Sequence, residues 1–356
     1  MQLEHKPDFE DACRRIDAWW AGEIVDRVPV MLTAPQGVSQ PEPGPASDLL
    51  RYWTDPELVI PRAEGALGTT YFAGEAMPVL YPVSTGLVAI LAGYLGCPVR
   101  LLDTRTSWAY PIIDDWDDPP AFEFDPTNEW WRRSEKLLAA ASERAHGRYL
   151  IGLPDLNGPG EILARLRGTE PLCFDVVERP DLVREATEKI TLAWYRYYEA
   201  CLGIIHQRVP GSITWMGIWS MTPAVDLQCD FSCMISPEAF NGLFLPSIER
   251  QAEWVARTVY HLDGPDAVRH LPALLDLPEL DAIQWIPGAG ALPMSRWTDV
   301  CRTILEGGKL LYIGCEADEV EFLLSELPQK GLLLRTSCRS VEEADALLEN
   351  VARWTR

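Results

Sequence analysis

The segment Tyr260-His261-Leu262-Asp263-Gly264-Pro265 joins an apolar run to a Gly/Pro turn. Side chains alternate along extended backbone, so His261 and Asp263 face one side and Leu262 the other. An imidazole beside a carboxylate at a strand end suits metal ligation, acid–base work or substrate binding. It suits equally a hydrogen-bonded structural histidine followed by a helix-capping aspartate. Two later apolar runs end in further donors: LLYIGCE in Cys315 and Glu316, and LLLRTSC in Cys338. If these strands share one carboxyl end, His261, Asp263, Glu316, Cys338 and, as a further candidate, Cys315 offer nitrogen, oxygen and sulfur donors to one site. Zinc accepts that mixture. A cysteine in apolar surroundings is also an ordinary small core residue.

Asp230 lies in QCDFSCMISPEAF, ahead of a helix expected from Pro237 with Ser236 as its cap. Cys229 and Cys233, four apart in the same stretch, are weaker ligand candidates because the intervening residues do not favour a regular helix. Trp215, Trp219 and Trp285 fall on strands or just beyond them, where an indole either walls a pocket or packs the core. Tyr260 joins them as a candidate substrate contact. In GLPDLNGPG, Asp155 or Asn157 can meet a ligand, or the segment is a tight loop entering a helix. Arg167, Arg335 and Arg339 are the basic groups best placed for an acidic ligand. Asp26-Arg27 precedes the first strand and belongs at the opposite, stabilising end.

The elements that must position these groups are buried strands alternating with amphipathic helices. Strands are expected at 28–34, 148–153, 212–219, 258–262, 282–286, 309–313 and 331–335, apolar enough to be covered on both faces. Helices are expected at 180–200, 237–257, 267–275, 294–306, 317–324 and from Ser340, with Glu343 as its capping-box partner. This order predicts a parallel α/β architecture closed as a single (β/α)8 barrel, its eighth strand within the poorly patterned 68–83. The Pro- and Gly-rich stretch Gln36 to Ala46 reads as a loop and carries no GxGxxG, which disfavours a dinucleotide-binding fold. One domain is expected, with an elaborated amino-terminal region over about residues 1–145.

The 356 residues carry 53 acidic and 31 basic side chains, a net charge of −22, and are 47% hydrophobic. That composition folds, and its charge opposes nucleic acid and anionic membrane surfaces. No apolar run reaches the length of a membrane span, and the charged start lacks the apolar core of a signal peptide, so a cytoplasmic location is expected. Nine cysteines, odd in number, widely spaced and without a CxxC pair, read as reduced thiols.

The chain resembles the uroporphyrinogen decarboxylase superfamily, and within it the cobalamin-related methyltransferase branch. The resemblance rests on DRVPV at 26–30, LRG at 166–168, ERPDLV at 178–183, CDFSCMISPEAF, YHLDG, and the last strand with Cys338 followed by ENV at 349–351. It implies the (β/α)8 fold and a zinc held by a His-x-Cys pair and a late cysteine. His261 and Cys338 match the outer positions; Asp263 stands where the pair has cysteine. The implied reaction is attack of a zinc-activated thiol on a methyl group from a methylated corrinoid protein or small donor. Asp263 weakens the soft character of that site. The alternatives are a metal-free decarboxylase or other lyase, although the arginine cluster of the decarboxylases is absent around 28–36, and a non-catalytic binding member. His261, Asp263 and Asp230 are the catalytic candidates, and a monomer or homodimer is expected.

Overall fold

The computed structural model describes residues 3–37, 47–206 and 211–356; the expected loop at 36–46 lies, beyond Gly37, outside the described residues. Thirteen strands are described: β1 (Val30–Pro35), β2 (Thr70–Gly74), β3 (Val79–Leu80), β4 (Val99–Leu101), β5 (Ser107–Ala109), β6 (Leu150–Ile151), β7 (Ser212–Ile213), β8 (Trp219–Ser220), β9 (Ala224–Gln228), β10 (Arg257–Asp263), β11 (Ala282–Ile286), β12 (Leu310–Gly314) and β13 (Leu332–Ser337). Seven form one mixed sheet in the order β2-β1-β13-β12-β11-β10-β9. All its neighbours pair parallel except β2, which runs antiparallel to β1.

The expected closed eight-stranded barrel is not formed among the described residues. The ladder ends at β2 and β9, and β6 pairs instead with β3, and β7 with β8. The reasons are local. The run at 148–153 keeps only two strand residues before Pro154, which has no N–H for a ladder, and Asn157, whose φ is +56°. The run at 212–219 folds back on itself through a turn at Trp215 and Met216, with Gly217 at φ +81°. The strand that does enter the sheet there is β9, AVDLQ, which the hydrophobic pattern did not single out because Asp226 interrupts it. Within 68–83, where one strand is expected, two form, β2 and β3.

The register sorts side chains onto two faces. One carries Leu32, Leu262, Ile283, Trp285, Leu311, Ile313, Leu332 and Leu334, all fully or almost fully buried. The other carries Asp226, Gln228, His261, Asp263, Gln284, Tyr312, Arg335, Ser337 and Thr33. The expected helix at 180–200 extends to Pro180–His206, and that at 237–257 divides at Phe244 into Pro237–Leu243 and Leu245–Trp254, with Pro246 at the second helix's start. Ser340 caps Val341–Trp354 by accepting from the Glu343 N–H, while the Glu343 carboxylate reaches the Arg339 N–H rather than that of Ser340.

At the amino end of β1 a buried ion pair ties the sheet together. Arg27 donates to both Glu75 oxygens at 2.8 and 2.7 Å, and the Val30 N–H donates to the same carboxylate at 2.6 Å. Glu75 is 1% exposed and Arg27 7%. Arg15 holds Asp26 by two bonds of 2.8 Å beside it. Lys6, fully buried, donates to the Phe72 and Gly74 carbonyls of β2. Removing one partner of such a pair strands a charge away from water. Glu75→Ala should therefore lower unfolding free energy by about 3–5 kcal/mol, read as a shifted urea midpoint. A change under about 1 kcal/mol, the size seen for exposed pairs, would show that the pair is not a tie.

Candidate active site

The carboxyl end of β10 places His261 and Asp263 on the polar face. The short 3-10 helix Asp230–Met234, which follows β9 across the adjacent connection, brings Asp230 to them. One donor atom from each of Asp230, His261 and Asp263 lies within 4.8 Å of the others. Asp230 is solvent-exposed and the other two are half-buried. The His261 ring is oriented by Gln284 on β11, whose Oε1 lies 2.6 Å from Nδ1, leaving Nε2 for other work. Trp215, at the β7–β8 turn, sets its ring against the imidazole edge-on, with centroids 5.2 Å apart. The imidazole is thus fixed from two sides, by a hydrogen bond and by an aromatic wall.

Five carboxyl groups, those of Asp230 and Asp263 among them, lie in or around this cluster with few cations to balance them. Partial loss of solvent pushes the Asp230 carboxyl up; His261 opposes the shift and Asp263 adds to it. Burial pushes Asp155 up to about 6, countered by the Asn157 N–H and by His261. Burial, with the charge of Asp230, pushes Glu161 up to about 8, although its Oε1 accepts from the Phe231 N–H at 3.0 Å. Its Oε2 is buried without a partner among the described residues. Burial likewise pushes Asp226 up to about 8; one oxygen accepts from the Met216 N–H at 3.2 Å and the other has no partner among the described residues. Near neutral pH, Glu161 and Asp226 keep their protons, whereas Asp155 has largely lost its own. Arg165, one helical turn beyond Glu161, stacks 3.9 Å over the Trp108 ring and offsets part of the negative charge.

The remaining candidates fall elsewhere. Cys338 and Glu316 do not join the His261 cluster among the described residues. β13 and β10 stand three positions apart in the sheet, on the order of 14 Å along a flat sheet. Cys338 is half-buried, with its N–H bonded to the Thr33 carbonyl, and burial raises its thiol pKa. Cys315 is pushed up to about 12 by burial. Tyr260 and Trp285 point to the opposite face, where Trp285 packs edge-on against Trp297. Trp219 is buried against Phe9 of the first helix. Cys229 is buried and its thiol is raised well above its ordinary value. Arg167 is held by Asp175 at 2.6 Å and by the Ile113 and Asp114 carbonyls. Gln284, Glu161 and Asp226 were not foreseen. An acid inside AVDLQ is the one such signal open to a reader of the sequence.

No family model and no curated protein matches the chain. Among solved structures, a methyltransferase from Methanosarcina mazei superposes with a TM-score of 0.62 at 17% identity, over 96% of this chain and 98% of that one. At that identity the likeness shows a shared fold. No helix of the described residues is long and apolar enough to cross a membrane.

The buried acids make stability depend on pH with a definite sign. The folded state holds a proton on Asp226 that the unfolded chain releases, so this group favours folding fully below about 3.8. Its contribution is lost as pH rises towards about 8. Asp226→Asn removes that titration. The variant should gain on the wild type between pH 5 and 8.5, by on the order of a few kcal/mol at most, in urea unfolding at each pH. Parallel stability curves would refute the assignment. The chain therefore shares its fold, along nearly its whole length, with a methyltransferase.

Proposed function

We propose that the chain is a methyltransferase in which Asp230, His261 and Asp263 hold one divalent cation that activates the methyl acceptor. The methyl donor is a small molecule or a corrinoid carried by a partner protein. The convergence of three donor atoms within 4.8 Å carries this reading. The fold shared with a methyltransferase supports the reaction class. One imidazole and two carboxylates suit a borderline or hard cation such as zinc. With Asp230 in the place expected for Cys338, the set lacks the thiolate that would favour zinc more strongly. Asp230 and Asp263 repel each other, and a cation between them removes that cost.

When bound, the cation lowers the pKa of an acceptor thiol or hydroxyl and so strengthens the nucleophile at neutral pH. Gln284 holds the His261 ring so that Nε2 keeps its direction. Trp215 closes one side of the imidazole and limits water there. Asp155, ionised above about 6, is a base suited to hold the proton that the acceptor gives up. A second reading, a metal-free lyase, is favoured by Glu161 and Asp226, which keep their protons up to about 8 and can donate them.

Metal analysis of protein purified without chelator separates the two. About one divalent ion per chain is expected, and His261→Ala and Asp263→Asn should each lose it. Transfer from methylcobalamin to a panel of thiols and alcohols, followed by the cobalamin absorbance, should fall by about 100-fold or more in His261→Ala. Metal-free protein whose turnover ignores both chelator and added zinc would reject the metal site and favour the lyase.

A further inference from the structure

Arg335 is a cation with no ion pair among the described residues, exposed on the polar face of β13. Its charge is favoured by Tyr312 and Tyr81. The Tyr312 hydroxyl donates to the Met216 carbonyl at 3.2 Å, which leaves its lone pairs turned to the guanidinium. Ser337 follows on the same face, and Thr33 pairs with it in register on β1. Neither hydroxyl has a hydrogen-bond partner among the described residues. The three side chains line a cleft of about 540 Å³ whose floor includes Ile286 and Gly314. In the ladder, Gly314 stands beside Arg335 and Ile286 beside Asp263, so the row from Arg335 to the cluster passes over one residue without a side chain and one apolar one.

Two acids share this cleft, and both are occupied. Glu319 accepts from the Ser295 N–H at 2.8 Å and from the Glu316 N–H at 3.1 Å. Glu316 completes the reciprocal box by capping the Ala317–Glu319 turn. Their carboxylates are spent on backbone N–H groups, so Arg335 stays unneutralised in a protein of net charge −22. An unpaired guanidinium flanked by two free hydroxyls is matched in shape and charge by a planar carboxylate, which takes two parallel N–H bonds.

We propose that Arg335, with Ser337 and Thr33, anchors the carboxylate of an extended organic acid, long enough to cross the strands between β13 and β10, whose reacting end lies over the Asp230–His261–Asp263 cluster. The proposal rests on reading that cluster as the reaction site, and it names the class of molecule the site accepts. The anchor sets affinity and orientation and takes no part in bond making.

Titration calorimetry with succinate and glutarate, their uncharged diamides and inorganic phosphate tests it. The wild type should bind a dicarboxylate, and Arg335→Gln should weaken it at least about tenfold. Arg335→Lys should recover part of the loss, and the diamides should bind weakly and equally to all forms. Thermal melts and metal content, unchanged in Arg335→Gln, confirm that the fold and cluster persist. Equal dicarboxylate affinity in wild type and Arg335→Gln, no carboxylate binding at all, or phosphate bound in its place would each overturn the proposal. Arg335-dependent binding by a protein that holds no metal would leave this inference standing while the metal reading fell.

Discussion

The period of two along a parallel ladder is the constraint from which the rest follows. Once β10, β11, β12 and β13 pair in register, each residue's parity decides its face. Leu262, Trp285, Ile313 and Leu334 are committed to the apolar side, which is removed from water. His261, Gln284, Tyr312 and Arg335 are then committed together to the other side. A slip of one residue in β10 would put His261 and Asp263 among leucines and lift Leu262 to the polar face. Burial of the apolar side, at about 25 cal/mol per Å², therefore holds the polar side in register as well.

The polar face is costly to maintain. Asp155, Glu161 and Asp226 lose solvent without gaining cationic partners, and two of them have an oxygen with no partner among the described residues. The amino end shows the opposite arrangement, where Glu75 receives four contacts, two from Arg27, one from Arg15 and one from the Val30 N–H, and no oxygen is left bare. Such a contrast between a satisfied end and an unsatisfied end is expected where one stabilises the sheet and the other binds or transforms a ligand.

Part of the candidate cluster is legible in the sequence, for physical reasons. His261 and Asp263 announce themselves because alternation is a local rule, and the same rule places Tyr260 on the opposite face. Trp285 was not excludable that way: its side depends on pairing with β10 and β12, which no local pattern reveals. Asp230 was foreseen on a loop, but its approach to His261 depends on the β9 connection, and β9 itself was hidden by Asp226. Cys338 directly follows β13, at the carboxyl end where it is expected. The strand order then sets it three positions from β10, so a shared carboxyl end did not make it a neighbour of His261. The closed barrel failed where Pro154 and the Trp215 turn cut two expected strands to two residues each.

We propose that Asp230, rather than a cysteine, completes the His261–Asp263 cluster as a cation site. X-ray absorption at the zinc edge of the zinc-loaded chain reads the donor types directly. A shell of nitrogen and oxygen alone at about 2.0–2.2 Å, with imidazole scattering from one histidine, is the predicted result. A sulfur scatterer at about 2.3 Å would bring Cys338 or Cys315 into the site and contradict an Asp230 ligand.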